Sequence, residues 1–116
     1  GLMAATRMAM RRAVAALDSP PQHLLVDAVN LRPELDLPQV RMYFGDSISL
    51  SVAAASIVAK VHRDRMMRAL DRKYPGYGFE IHKGYGTRAH RAAVTRLHPS
   101  PAHRCSFRPI AALLRA

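Results

Sequence analysis

Two aspartates, Asp27 and Asp46, carry the clearest chemical signal in this 116-residue chain. Asp27 closes a short apolar run at residues 23–26. Asp46 stands between a second strand-like segment and a long helix-like one. A carboxylate at the end of a buried strand is costly unless it is paired or bound to a cation. In open α/β sheets, sites collect outside the carboxyl ends of strands. If the two side chains converge, their hard oxygen ligands suit Mg²⁺ or Mn²⁺ and metal-assisted phosphodiester chemistry. Plainer readings stand beside this one. An aspartate just past a strand is a common turn former, and Asp46 lies where an N-cap or Asx-turn belongs. Two-metal cleavage usually draws on more carboxylates than two. Of the remaining acids Asp64 is the best placed, but Lys60, Arg63, Arg65 and Arg68 surround it, which is an ion-pair setting.

The second constellation is His82-Lys83-Gly84-Tyr85-Gly86-Thr87. Flanking glycines let a backbone approach a ligand closely. An exposed tyrosine stacks on a sugar or base, and a lysine contacts phosphate. The competing reading is a turn whose tyrosine folds back onto the core. His82 and His103 lie in basic segments that read as irregular, placing both near phosphate. No pair of histidines or cysteines has a zinc spacing, and no P-loop or Gly-x-Ser-x-Gly elbow occurs.

Charge points to the same partner. The formal net charge is +10, and arginine supplies 15 of the 18 basic residues. Its planar fork suits phosphate. The last acid is Glu80; beyond it come seven Lys or Arg and four His with no carboxylate. Such a block is drawn to a nucleic-acid backbone in a salt-dependent way, or it is a solvated basic surface. No apolar run approaches the length of a membrane span, and no signal-peptide pattern is visible. Cys105 has no partner in the chain, which fits a reducing, cytoplasmic setting. The chain starts at Gly1 and runs straight into a helical pattern, the expectation for a piece of a longer reading frame.

The elements that must position these groups follow from periodicity. Residues 2–17 read as an amphipathic helix, with Met3, Met10, Val14 and Leu17 at helical spacing, stopped by Pro20-Pro21. Residues 23–26 read as a buried strand, 28–39 as a loop and 40–44 as a second strand. Asp46, Ser47 or Ser49 is available as N-cap to a helix over 48–73. The small apolar run Val52–Ala59 predicts deep burial of its first turns. Lys60, Asp64 and Arg68 recur every four residues and predict pairing along one face. An aromatic, turn-rich loop follows at 74–79. Thr87 reads as N-cap of a helix over 88–97, ended by Pro99-Ser100-Pro101, and residues 110–114 as a last short helix.

Read in order, the strings Leu25-Val26-Asp27, Gly45-Asp46-Ser47, Ala53 to Lys60, Arg63-Asp64-Arg65, Tyr74-Pro75, Tyr77-Gly78-Phe79, His82 to Thr87 and His103-Arg104-x-Ser106-Phe107 closely resemble ribonuclease HII, the type 2 ribonuclease H family. The resemblance covers essentially the whole chain. It implies an endonuclease that cuts the RNA strand of RNA–DNA hybrids, or duplex DNA with embedded ribonucleotides, on the 5′ side of a ribonucleotide. It implies an α/β fold, a ribonuclease H-like mixed sheet flanked by helices, with residues 1–80 as core and 81–116 as a basic helical C-terminal part. Asp27 and Asp46 match the third and fourth of four acids that hold Mg²⁺ or Mn²⁺. Tyr85 matches a tyrosine that stacks on a sugar at the RNA–DNA junction. From their own chemistry, Lys83, Lys60, His103 and Arg104 are the further candidates for substrate contact. A monomer, and no membrane, are implied for the complete enzyme.

The sequence departs from the family in what it lacks. No Asp-Glu pair and no Gly-Arg-Gly occur, so it resembles roughly the C-terminal half, without two of the acids, the 2′-hydroxyl-reading loop and the first strands. Ala28 stands where a glycine commonly follows the third aspartate, which tightens the backbone there and spares the carboxylate. The alternative to a nuclease is a basic module that binds nucleic acid without cutting it.

Overall fold

Two four-residue strands, β1 (Leu24–Asp27) and β2 (Gln39–Met42), pair in parallel, with Leu24 opposite Gln39 and Asp27 opposite Met42. Parallel neighbours need a crossover, usually a helix. Here a loop makes it. Asn30 accepts from the Arg32 N–H at 3.0 Å as an Asx-turn, and the Gln39 side chain accepts from the Leu31 N–H at 3.0 Å. Leu31, 2% exposed, is the plug of this crossover. The computed structural model describes residues 1–115; Ala116, the end of the expected basic C-terminal part, lies outside the described residues.

The chain forms two compact units, Gly1–Val58 and the residues from Ala59 onward. The first holds the sheet, α1 (Leu2–Ala15) and the short α2 (Gly45–Ile48). On α1, Met10 and Val14 are half-buried, whereas Met3 is exposed, as is Leu17 beyond the helix end. The expected buried strand is buried only at Val26; Leu25 is 46% exposed. The long helix α3 (Leu50–Lys73) starts two residues later than its apolar pattern predicts, because Ser49 is extended and its Oγ accepts from the Val52 N–H at 3.4 Å. Ser49 is thus the cap, and Asp46 lies inside the first turn of α2.

The expected deep burial of Val52–Ala59 is not met. Val52 and Ala53 are half-buried, while Ile57 is 64% and Val58 70% exposed. Burial needs an opposing surface, and two short strands offer little. The sheet among the described residues is a parallel pair, the two strands expected of a sheet that lacks its first strands.

The second unit packs around Tyr77, Phe79, Ala93, Val94 and Ile110, with Met67, Leu70, Tyr74 and Leu113 against them. Met67, Leu70 and Tyr74 are the i, i+3, i+7 stripe of α3. Phe79 opens a helix, α4 (Phe79–His82), that sequence patterning missed inside the aromatic loop. Next, α5 (Arg88–Leu97) is capped by Thr87, whose Oγ1 accepts from the His90 N–H at 3.2 Å, as expected. α6 (Arg108–Arg115) buries Ile110. Among the described residues no helix is long and apolar enough to cross a membrane.

Ala28 has φ +58° and donates its N–H to the Met42 carbonyl at 2.8 Å. The ladder therefore holds an alanine in the left-handed region, at a cost of about 1–2 kcal/mol that glycine does not bear. Ala28→Gly is expected to stabilise the first unit by about 1 kcal/mol after glycine's larger unfolded-state entropy is counted. Urea denaturation measures this; an unchanged or lower midpoint would show that the position is unstrained.

Candidate active site and nucleic-acid groove

Asp27 is the last residue of β1, and because the strands are parallel, β2 ends at the same edge of the sheet. The chain turns there through Phe44 (φ +56°) directly into α2. The first amide of that helix, Gly45 N–H, donates to Asp27 Oδ1 at 3.1 Å. Asp46 is the next residue. The structure thus sets the two predicted aspartates at one sheet edge, either side of a backbone amide, and both are exposed.

Gly45 makes this approach possible. A Cβ there would stand 3.0 Å from Val52 Cγ1, 3.1 Å from Met42 Cγ and 3.4 Å from Asp27 Cβ. Among the described residues no ion pair uses Asp27 or Asp46, so no cation of the chain itself neutralises them. Their donor set, exposed carboxylate oxygens, fits a hard divalent cation, which is commonly held by one or two carboxylates and several waters. Among the described residues no group of three or more His, Cys, Asp or Glu is placed to hold a metal ion.

In the second unit, a groove of about 800 Å³ is lined by Lys83, Tyr85, Arg91, His103 and Arg104, with Arg63 at its edge. Four of the five residues expected on substrate therefore share one surface; Lys60, exposed on α3, does not line it. Tyr85 is 61% exposed, so it does not fold back onto the core. The Arg63 guanidinium lies 4.8 Å from its ring centroid, donates to its hydroxyl at 3.1 Å and to the Lys83 carbonyl at 2.8 Å. Arg91 holds the Gly86 carbonyl at 2.6 Å. Lys83 itself has φ +53° and pairs with Asp64 at 3.8 Å. Asp64 is thus an ion-pair residue, but its partner comes from the loop and not from Lys60 or Arg68; Arg68 reaches Glu80 at 4.0 Å instead.

His82 corrects an expectation. It is buried in α4, stacked on His90 at 4.0 Å between centroids, and its ring nitrogens meet the Tyr77 carbonyl (2.7 Å) and the Gly84 N–H (3.1 Å). It has no nitrogen left for phosphate. His103 packs on Tyr77 and Phe79, and its nitrogens engage Ser100 and His90. Arg63, His90 and Arg91 were not singled out from sequence as site residues. For His90 and Arg91 a signal existed: a helix capped at Thr87 aims its first turn back at the preceding loop. Arg63 lies 22 positions from Tyr85, and nothing local links them.

Three of the four non-glycine residues with positive φ (Ala28, Phe44 and Lys83, but not His98) stand at or beside these candidate residues. Strain of this kind concentrates at functional sites.

A family model for ribonuclease HII matches residues 1–110. The chain belongs to the ribonuclease HII family. It is 54% identical over 112 residues to a ribonuclease HII of Geobacillus kaustophilus, covering 97% of this chain and 42% of that protein. It is 51% identical over 114 residues to one of Chloroflexus aggregans, 98% of this chain and 53% of the relative. With one of Geobacter sulfurreducens it shares 52% over 107 residues, 92% of this chain and 49% of the relative. The chain spans about half the length of the curated relatives it matches.

Burial holds the His90 and His103 pKa values below their ordinary 6.5, with the backbone hydrogen bonds opposing and neighbouring histidines adding to the effect. The unfolded chain therefore takes up these protons more readily than the folded one. The stability they contribute is complete above 6.5 and is lost as pH falls through the lowered folded values. The thermal midpoint is expected to drop as pH falls below about 6.5, and less in His90→Asn. A midpoint that stays flat below that pH would contradict the assignment.

Proposed function

We propose that this chain is the part of a ribonuclease H type 2 endonuclease that supplies two of its metal-holding acids and its junction-binding groove. Residues 1–80 belong to the ribonuclease H-like core, whose complete form is a mixed sheet, and 81–116 to the basic helical part. The observation that carries the reading is the Gly45 N–H to Asp27 hydrogen bond, which sets Asp46 one residue from the amide that Asp27 grips.

Asp27 and Asp46 would hold Mg²⁺ or Mn²⁺, and the cation supplies an activated water and charge neutralisation on the leaving oxygen. The Gly45 amide orients Asp27 and takes up one of its acceptor sites, leaving its remaining oxygen for the metal. Lys83 and Arg104 contact phosphates along the RNA–DNA hybrid or ribonucleotide-containing duplex, and His103 lines the same wall. Tyr85 stacks on a sugar or base, its ring held by Arg63. Lys60 contacts the backbone from α3. The natural setting is cytoplasmic, and the complete enzyme acts as a monomer.

Alone, the chain is expected to bind Mn²⁺ weakly and turn over little or nothing. Paramagnetic broadening by Mn²⁺ of the Asp27 and Asp46 resonances should disappear in Asp27→Asn/Asp46→Asn. Broadening that survives that double change, or robust cleavage of a duplex with one ribonucleotide by the chain alone, would refute this division of labour. Within the complete enzyme, Tyr85→Ala is expected to weaken binding of a ribonucleotide junction by about 5- to 100-fold, the range for loss of one stacked base. An unchanged cleavage rate and pattern would reject its role on the substrate. Salt-sensitive binding of the complete enzyme to hybrid, without cleavage in Mn²⁺, would instead identify a non-catalytic binding module.

A further inference from the structure

We propose that His90 is a positioning residue for Tyr85, holding the Tyr85 carbonyl through one ring tautomer that His103 enforces. The proposal rests on the reading of Tyr85 as a substrate-facing residue and deepens it.

The loop that carries Tyr85 has little regular structure to hold it. Lys83 and Gly84 are both left-handed, at φ +53° and +82°. Its carbonyls are held largely by side chains: Arg63 on Lys83, Arg91 on Gly86, and His90 Nδ1 on Tyr85 at 2.9 Å, where the Thr87 N–H also donates at 2.8 Å. The two arginine contacts are exposed and permanently charged. His90 is buried, at 8% exposure, and is the titratable one of the three.

The hydrogen-bond partners leave one self-consistent assignment of protons. The Ser100 N–H donates to His103 Nδ1 at 3.0 Å, and the Ser100 hydroxyl lies 2.8 Å from the same nitrogen. His103 therefore carries its proton on Nε2 and donates to His90 Nε2 at 3.1 Å. His90 then carries its proton on Nδ1 and donates it to the Tyr85 carbonyl. The result is a one-directional chain from Ser100 through His103 and His90 to Tyr85, in which each bond polarises the next.

A second proton on His90 would set its Nε2–H against the Nε2–H of His103. The groups facing it offer that charge no relief. His82 stacks on it from α4 with planes 13° apart, and Phe79 meets it edge-on. Lys83, Arg91 and Arg104 line the same groove, and no carboxylate does. Asp64 is engaged with Lys83, and Glu80 of α4 with Arg68. The assembly is built to keep His90 neutral: a proton on Nε2 would push the ring away from His103 and carry with it the Nδ1–H that holds the Tyr85 carbonyl.

The test compares binding of the full chain to a duplex with an RNA–DNA junction and to an all-DNA duplex, by fluorescence anisotropy. The ratio of the two affinities is the readout, because non-specific phosphate attraction divides out. Tyr85→Ala should lower this ratio. His90→Leu should lower it about fivefold, the scale of one net hydrogen bond. His90→Asn, which places an amide N–H near the lost Nδ1–H, should restore it. The double variant Tyr85→Ala/His90→Leu should be no worse than Tyr85→Ala alone. In the unaltered chain the ratio should fall as pH drops below about 6.5, while that of Tyr85→Ala stays flat.

Should His90→Leu keep the full ratio while Tyr85→Ala loses it, the positioning role is overturned and the reading of Tyr85 stands. Additive losses in the double variant overturn the positioning role as well, since they mark a general structural effect. A Tyr85→Ala chain with an undiminished ratio removes the reading itself and the proposal with it. A ¹⁵N correlation spectrum of the unaltered chain needs neither nucleic acid nor a variant. It should show the His90 proton on Nδ1 and those of His82 and His103 on Nε2; a proton on His90 Nε2 would overturn the proposal directly.

Discussion

The first unit depends on the 3.1 Å bond from the Gly45 amide to Asp27. For that bond to form, the chain must leave β2, turn through Phe44 in a left-handed conformation and bring the start of α2 down onto the end of β1. A Cβ at Gly45 would crowd Val52, Met42 and Asp27 at 3.0 to 3.4 Å. Two left-handed non-glycine residues flank the arrangement, each costing about 1–2 kcal/mol. A hydrogen bond to a charged acceptor contributes about 1.5–3 kcal/mol. The two sides of this balance are comparable, so the geometry is held with little surplus. Phe44, Ile48 and Leu50 around it are largely exposed, so packing adds little to the balance.

The second unit solves a different problem, presenting cations without collapsing them onto acids. Its core is an aromatic and imidazole stack in which Tyr77 lies on Phe79 at 5.3 Å, and Phe79 meets His82 and His90 edge-on. The Tyr77 hydroxyl donates to the His98 carbonyl at 2.6 Å and ties the end of α5 to this stack. Packing neutral imidazoles inside leaves the arginines and Lys83 outside. The division between buried histidine and exposed arginine follows from desolvation: an imidazole can shed its charge to enter the core, and a guanidinium cannot.

What was legible in the sequence was local. Thr87 as a cap, the 88–97 helix and the two strands within a residue or so all follow from neighbours in the chain. So did the placement of Asp27 at a strand end, because alternation and apolar runs report on a few residues at a time. What failed was anything that needs an opposing surface. Val52–Ala59 has the composition of a buried helix face, but composition states a demand for burial and not what meets it. The i, i+4 pairing of Lys60, Asp64 and Arg68 failed for a related reason. Helical spacing makes such pairs possible, worth only about 0.3–0.5 kcal/mol, so a loop lysine nearby displaces them. His82, read as a phosphate contact from its basic surroundings, is drawn inward by Phe79 and His90, rings that no local pattern assigns to it. The family resemblance reached further than periodicity because it draws on motifs in order, not on any one segment's pattern.

Lys83 shows how the loop reconciles anchoring with availability. Its ion pair with Asp64 is 3.8 Å long between side chains 25% and 34% exposed, a partly solvated contact in the class worth at most about 1 kcal/mol. That is enough to bias the lysine toward one orientation and too little to hold it against a phosphate. The firm attachment of the loop is made elsewhere, by backbone carbonyls gripped at 2.6 to 2.9 Å by Arg91, Arg63 and His90. Because those contacts use main-chain oxygens, they fix the path of the loop while leaving the Lys83 ammonium and the Tyr85 ring free to meet a ligand. Arg63 serves both ends at once: one nitrogen fixes the loop and another meets the tyrosine hydroxyl, so the ring is oriented by the residue that fixes the backbone beside it. A surface meant only to be solvated has no need to hold its loop carbonyls so tightly and its charged tip so loosely.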